Sequence, residues 1–358
     1  MRRSRQQRDR VTIQDVAQRA GVSAMTVSNV VNRTGKVGES TRARVRAIIE
    51  EMGYVPSQAA RHLVGAAPAR IGLIYLDIES MFLSLAHGEV SAAAAEKGLQ
   101  LMVRRAGAAT PDKAAAVALS LVRSGADALL LIPPFAELLT GTPALRTLGV
   151  PAVAIATAGP LPDMATVRID NHAAGRAVAD LLIARGYRRI AIITGPGGHS
   201  DSVARLDGYK SALAAHGIPF RPELCAEGLF SFETGLIATD ILLNLPQPPD
   251  AIMAANDDMA AAALWAAHRR GLVPPRDLAV TGFDDTLVAT RVWPALTTVR
   301  QPIKDMAVRA IDLLVEALGR SAAASGAAAG GMVAGIAPTP RDVVLDFTLV
   351  ERGSVRPA

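Results

Sequence analysis

Two short acidic clusters, Asn256-Asp257-Asp258 and Asp284-Asp285, carry enough side-chain oxygen for a divalent cation if the fold joined them. Read one at a time, they are ordinary helix and loop caps. The six histidines, at 62, 87, 172, 199, 216 and 268, show no metal-ligand spacing, and no G-x-S-x-G turn presents a nucleophile. Gly195-Pro196-Gly197-Gly198 lacks both the G-x-G-x-x-G spacing and the Lys-Ser/Thr of a phosphate loop, so it reads as a plain loop. No catalytic constellation emerges, and neither metal nor cofactor is expected. Arg205, Asn256 and Asp284, each at the edge of an apolar run, offer a different chemistry. A guanidinium fork, an amide and a carboxylate can each engage adjacent hydroxyls, as recognition of a polyol requires.

Residues 11–32, VTIQDVAQRAGVSAMTVSNVVN, point to a second kind of recognition. Thr12 and Asp15 form a capping box, Val16, Ala17 and Ala20 make one apolar stripe, and Gly21 ends the first helix. Ser23 caps a second helix, in which Val27, Val30 and Val31 recur at helical spacing and face inward. Ala24, Met25, Ser28 and Asn29 are left outward, where a recognition helix meets base edges. A third amphipathic segment, residues 39–52, has Val45, Ile48, Ile49 and Met52 as its apolar face. Ser57 then starts a short helix-capable run that is released at Gly65, giving a hinge over residues 57–69.

From residue 70 onward, short apolar runs alternate with Ala-rich helical patterns. One series of strands is expected at 71–76, 99–103, 128–132, 152–156 and 167–169, and a second at 190–194, 224–227, 251–254, 278–282 and 297–299. This body of about 290 residues suits two doubly wound parallel-sheet lobes of an α/β core. A last strand is expected at 343–349, after a low-complexity stretch at 321–340 that reads as a mobile surface insertion.

Charge separates the two parts. Residues 1–70 hold 13 Lys+Arg against 5 Asp+Glu, while the remainder holds 25 against 28. A basic head on a neutral-to-acidic body is the electrostatic footprint of polyanion binding. The opening MRRSRQQRDR reads as a solvated, disordered tail at residues 1–10; no apolar stretch follows it, so a signal peptide is not expected. No run approaches membrane-spanning length, and Cys225 stands alone, expected to be buried and inert. The expected compartment is the cytoplasm.

The headpiece motif V-T-I-x-D-V-A-x-x-A-G-V-S-x-x-T-V-S and the hinge Y-V-P-S-Q-A-A-R-H-L resemble the lac-repressor-type (LacI/GalR) family of bacterial transcription regulators. The resemblance continues in Arg205-Leu206-Asp207-Gly208-Tyr209, Ala255-Asn256-Asp257, Gly282-Phe283-Asp284-Asp285 and residues 296–301. It implies a helix-turn-helix headpiece at 11–56, a hinge helix, and a two-lobed core at 70–358 like that of periplasmic binding proteins. Lobe N would take about 70–170 and 301–335, and lobe C about 171–300 and 340–358, with ligand in the cleft between them. It implies operator contacts from Thr12, Ser23, Ala24, Met25, Thr26, Ser28, Asn29, Asn32, Tyr54, Ser57 and Ala60, with Leu63 wedged into the minor groove. Arg205, Asn256 and Asp284 match family effector contacts, and Phe82 and Phe230 match positions where an aromatic ring faces the ligand.

The partners so implied are a near-palindromic double-stranded operator, a small effector, most simply a sugar, and a second copy of the chain. A purine or nucleoside effector is the alternative. A solute-binding transport protein would share the core but lack a headpiece. Three departures loosen the effector and operator assignments: Ala156-Thr157 stands where members often carry Asp, Glu79-Ser80-Met81 replaces the usual Asn-Pro, and Asn29 stands where Arg is frequent.

Overall fold

The computed structural model describes residues 11–32, 37–52, 54, 68–78, 80–107, 110–327 and 341–357. Three helices, α1 (Ile13–Ala20), α2 (Ala24–Asn32) and α3 (Glu39–Met52), form the head. The Thr12 hydroxyl accepts from the Asp15 backbone N–H, and the Thr12 N–H donates to the Asp15 carboxylate at 2.8 Å, closing the capping box. Gly21 ends α1 in the left-handed region at φ 63°, and the Ser23 hydroxyl accepts from Thr26 N–H to start α2. Val16, Val27, Val30 and Val45 fill the small core, with Val31, Ile48, Ile49 and Met52 half-buried around it.

The body contains a six-stranded sheet in the order β11-β5-β4-β3-β1-β2, built from β1 (Arg70–Leu76), β2 (Gln100–Ala106), β3 (Ala128–Leu131), β4 (Ala152–Ile155), β5 (Ala165–Ile169) and β11 (Asp342–Leu345). A second sheet, in the order β7-β6-β8-β9, comprises β6 (Ile190–Thr194), β7 (Cys225–Glu227), β8 (Ala251–Ala254) and β9 (Ala279–Thr281). Both are wholly parallel, and β3, β6 and β8 are buried along their whole length because helices cover both faces.

Three details differ from the sequence expectations. Residues 343–349 do not make one strand of the second lobe. Instead β11 pairs in parallel with β5 in the first lobe, and β12 (Thr348–Val350) pairs antiparallel with β10 (Thr298–Arg300). The reason is a contact distant in sequence: Asp342 accepts from Arg168 at 2.8 Å and from the Thr166 hydroxyl at 2.6 Å, which fixes this segment to β5 and moves the lobe boundary past residue 345. Residues 298–300 likewise pair with β12 in a two-stranded ribbon, and among the described residues this segment touches the second sheet only through isolated parallel bridges, Thr281 with Thr297 and Asp284 with Arg300. Finally, the helix Ile303–Ala327 runs into the low-complexity stretch, since a Ser/Ala run has ample helix propensity. Residues 328–340 lie outside the described residues.

No helix among the described residues is long and apolar enough to cross a membrane. Cys225 is half-buried instead of fully enclosed, and burial pushes its thiol pKa up.

Candidate effector cleft and DNA-reading head

The carboxyl ends of the two sheets face a cleft between the lobes. Leu76, Ile78, Ser80, Phe82, Leu83, Ile132, Pro133 and Ala156 line it from the first lobe, and His199, Asp201, Arg205, Phe230, Asn256 and Asp284 from the second. All five effector residues expected from the sequence therefore meet in one place.

Arg205 reaches the cavity because two helices approach closely. A side chain at Gly208 would fall 2.1 Å from the His172 carbonyl oxygen, and one at Gly175 would fall 2.5 Å from the Arg205 carbonyl oxygen. Only glycine permits that contact between the helices Asn171–Ala184 and Ser200–Ala215. Tyr209 anchors the same turn by donating to the Ile190 carbonyl at 2.7 Å. The Arg205 guanidinium is 3% exposed and donates to Asn171 Oδ1 at 2.9 Å, to the Ala255 carbonyl at 2.5 Å and to Asp201 at 3.3 Å. Its Cζ lies 3.6 Å from the centroid of the Phe283 ring.

Asp284 sits at φ 105°, in the left-handed region, and accepts from Gln301 Nε2 at 2.7 Å. Burial raises its pKa well above the ordinary aspartate value, with Arg205 opposing and Asp257 reinforcing the rise. Asp257 is not in the cavity. It supports the loop from below, where a side chain at Gly282 would fall 2.2 Å from its Oδ1, and it accepts from the Thr298 hydroxyl and the Thr286 N–H, each at 2.7 Å. Burial lifts it to about 7, against those hydrogen bonds.

Phe230 adopts φ 61°, and its ring occupies space that only a glycine leaves open: a side chain at Gly195 would fall 2.1 Å from Phe230 Cζ. The Gly-Pro-Gly-Gly segment thus seats the aromatic ring, a role its motif did not reveal. Asn256 caps the helix Asp257–Arg269 by accepting from Met259 N–H at 3.0 Å, and donates to the Phe230 carbonyl at 2.8 Å. It is both a cap and part of the cavity wall. The non-glycine residues at positive φ among the described residues are Ala156, Phe230, Asp284 and Asp285, and the first three line the cavity. Strained backbone of this kind collects where a binding surface must be held in place.

His199 and Asp201 were missed by sequence reasoning. His199 Nδ1 lies 2.6 Å from Asp201 Oδ1, and its ring meets Phe230 edge-on at 5.2 Å. Burial lowers the His199 pKa, but the Asp201 carboxylate outweighs it and the net shift is upward. Asp201, despite its own burial, is held below the usual carboxylate range by His199 and Arg205. The legible signal was the spacing of Asp201 and Arg205, four residues apart at the start of a helix.

Among the described residues no group of three or more His, Cys, Asp or Glu side chains is arranged to hold a metal ion. The acidic clusters are engaged elsewhere: Asp258 accepts from Met81 N–H, and Asp285 binds Arg300 and Arg352, each at 2.6 Å.

On the head, Met25 is 69% exposed, and Ala24, Thr26, Ser28 and Asn29 are half-buried on α2. Thr12 and Ser23 are exposed and serve as caps, as expected. Tyr54, expected as a DNA contact, is 6% exposed and belongs to the head's buried cluster with Val16, Val27, Val30 and Val45. Asn32 lies in α2, but its side chain, like Ser57, Ala60 and Leu63, falls outside the described residues.

Comparison with known proteins decides what this arrangement belongs to. Residues 12–57 match the family of bacterial regulatory proteins of the lacI type, and residues 179–355 match a periplasmic binding protein-like domain. The HTH-type transcriptional regulator CelR of Thermobifida fusca is 34% identical over 327 residues, 87% of this chain and 93% of that protein. This chain belongs to the LacI family. Among solved structures, a CelR–cellobiose complex is 30% identical with a TM-score of 0.68, covering 96% of this chain and 100% of that one. The lac repressor dimer bound to operator and the anti-inducer ONPF is 26% identical with a TM-score of 0.69, covering 96% and 99%. As a LacI-family member, the protein is a DNA-binding transcription regulator and not an enzyme.

Proposed function

We propose that the protein is a cytoplasmic repressor that binds a near-palindromic operator as a homodimer, under control of a sugar or sugar derivative held in the interlobe cleft. The observation that supports this most is the meeting of Arg205, Asn256 and Asp284 with two aromatic rings, Phe82 and Phe230, contributed by opposite lobes. Aromatic faces cover the apolar side of a sugar ring while the polar groups engage its hydroxyls. Met25 and Asn29 read the operator from the major groove, and Leu63 wedges at its centre.

A second reading, a purine or nucleoside effector, draws support from the first-lobe wall, which is apolar apart from Ser80 and suits a flat base. Titration calorimetry with a panel of mono- and disaccharides and a panel of purines and nucleosides separates the two. Saturable heat from a sugar only is the expected result; heat from a purine only replaces the first reading with the second.

A further inference from the structure

Glu137 lies on the helix Phe135–Leu139, which follows β3 in the first lobe. Ser200 opens the helix of the second lobe that carries Arg205. The Ser200 hydroxyl donates to Glu137 Oε1 at 2.5 Å and accepts from the backbone N–H of Ala158, just beyond β4, at 3.3 Å. One side chain of the second lobe is thus held by two segments of the first. Its sequence neighbours His199 and Asp201 line the cavity. Glu137 Oε2 is buried with no hydrogen-bond partner among the described residues. A buried carboxyl oxygen left unsatisfied is costly, and opening the lobes to water relieves the cost.

We propose that Ser200 and Glu137 form an interlobe clasp that holds the core closed and sets how readily the cleft opens. The clasp consists of contacts between side chains and backbone of the two lobes and does not depend on which effector fits. It also couples closure to protons. Burial raises the Glu137 pKa, with the Ser200 hydroxyl opposing, and His199, which burial lowers, is raised on balance by Asp201 and by Glu137. The charged groups facing this pair are Asp201 and, more weakly, Arg205, both on the second lobe, with Asp284 beyond them. Opening hydrates Glu137, so its pKa falls and its proton leaves. The closed form is therefore favoured at lower pH and lost as pH rises through the raised Glu137 pKa.

The test uses the full chain with Cys225→Ser and spin labels at Lys113→Cys and Ala214→Cys, which are exposed helical positions on opposite lobes. Labelled protein is diluted in unlabelled protein so that only distances within one chain are read, from pH 5.5 to 8.5 and without ligand. The expected result is a longer-distance population that grows with pH. Glu137→Ala should lower the closed-to-open ratio about three- to ten-fold, the loss expected for one such hydrogen bond, and Ser200→Ala, which also removes the bond from Ala158 N–H, should lower it by at least as much. Glu137→Gln, which keeps an acceptor for Ser200, should stay closed with a shallower pH response. Wild-type distances in a folded Ser200→Ala protein at every pH overturn the clasp, and an undiminished pH response in Glu137→Gln overturns its coupling to protons.

Discussion

Gln301 donates its side-chain amide to Asp284 at 2.7 Å, and the Asp284 N–H donates to the Val299 carbonyl at 2.8 Å. These bonds tie a polar wall of the cleft to β10 and the segment after it, which carries the chain from the second lobe back to the first. Anything that moves Asp284 therefore pulls on a connection between lobes.

Gln301→Ala should loosen that link while leaving the cavity wall in place. Effector affinity is expected to fall by less than for Asp284→Ala, whereas the effector-induced change in operator affinity should shrink by a large part of the roughly 1–3 kcal/mol usual for such coupling. Operator titrations with and without effector measure both quantities.

Gly195→Ala should drive Phe230 from its seat, because the added methyl meets the ring at 2.1 Å. Overpacking of this kind costs about 1–3 kcal/mol. A lowered denaturation midpoint together with weakened effector binding is expected; unchanged stability would show that the ring moves freely.

Asp257, at about 7, gives stability a definite pH signature. Its pKa is raised on folding, so its contribution is fully present below the unfolded value and is lost as pH rises toward 7. The difference in unfolding free energy between wild type and Asp257→Asn should change across this window, by at most about 1.4 kcal/mol per pH unit. Denaturant titrations at pH 5, 6, 7 and 8 measure it, and a flat difference contradicts the assignment.

Exchanging Met25 or Asn29 should alter which bases are chosen at defined half-site positions, since Met offers apolar contact to a thymine methyl and Asn can pair with adenine. Selection from random DNA by wild type and variants reads this out. An identical motif from all three proteins would move the reading face elsewhere on α2.

Much of this was legible in the sequence because the signals were local. Thr12, Asp15, Gly21 and Ser23 write the ends of α1 and α2 in cap chemistry, and the apolar runs of β1, β3, β6 and β8 mark a parallel sheet buried on both faces. What remained hidden depended on contacts distant in sequence. The pairing of Asp342 with Arg168 spans 174 residues, so the split of the last strand could not be read from its apolar pattern. Gly195 gains its meaning only from a ring 35 positions away. His199 and Asp201 carried no motif of their own, and their place beside Arg205 and Phe230 follows from the helix start at Ser200.

The central claim is that the cleft controls the head. Its most direct test is operator affinity, measured with and without the effector identified by calorimetry, for wild type and for the double variant Arg205→Ala with Asp284→Ala, folding checked by circular dichroism. The account predicts ligand-free operator affinity close to wild type in the double variant, with the effector response abolished, because linkage requires ligand to bind the two states differently. A folded double variant that still responds at wild-type effector concentrations would contradict it and leave Arg205 and Asp284 as structural caps.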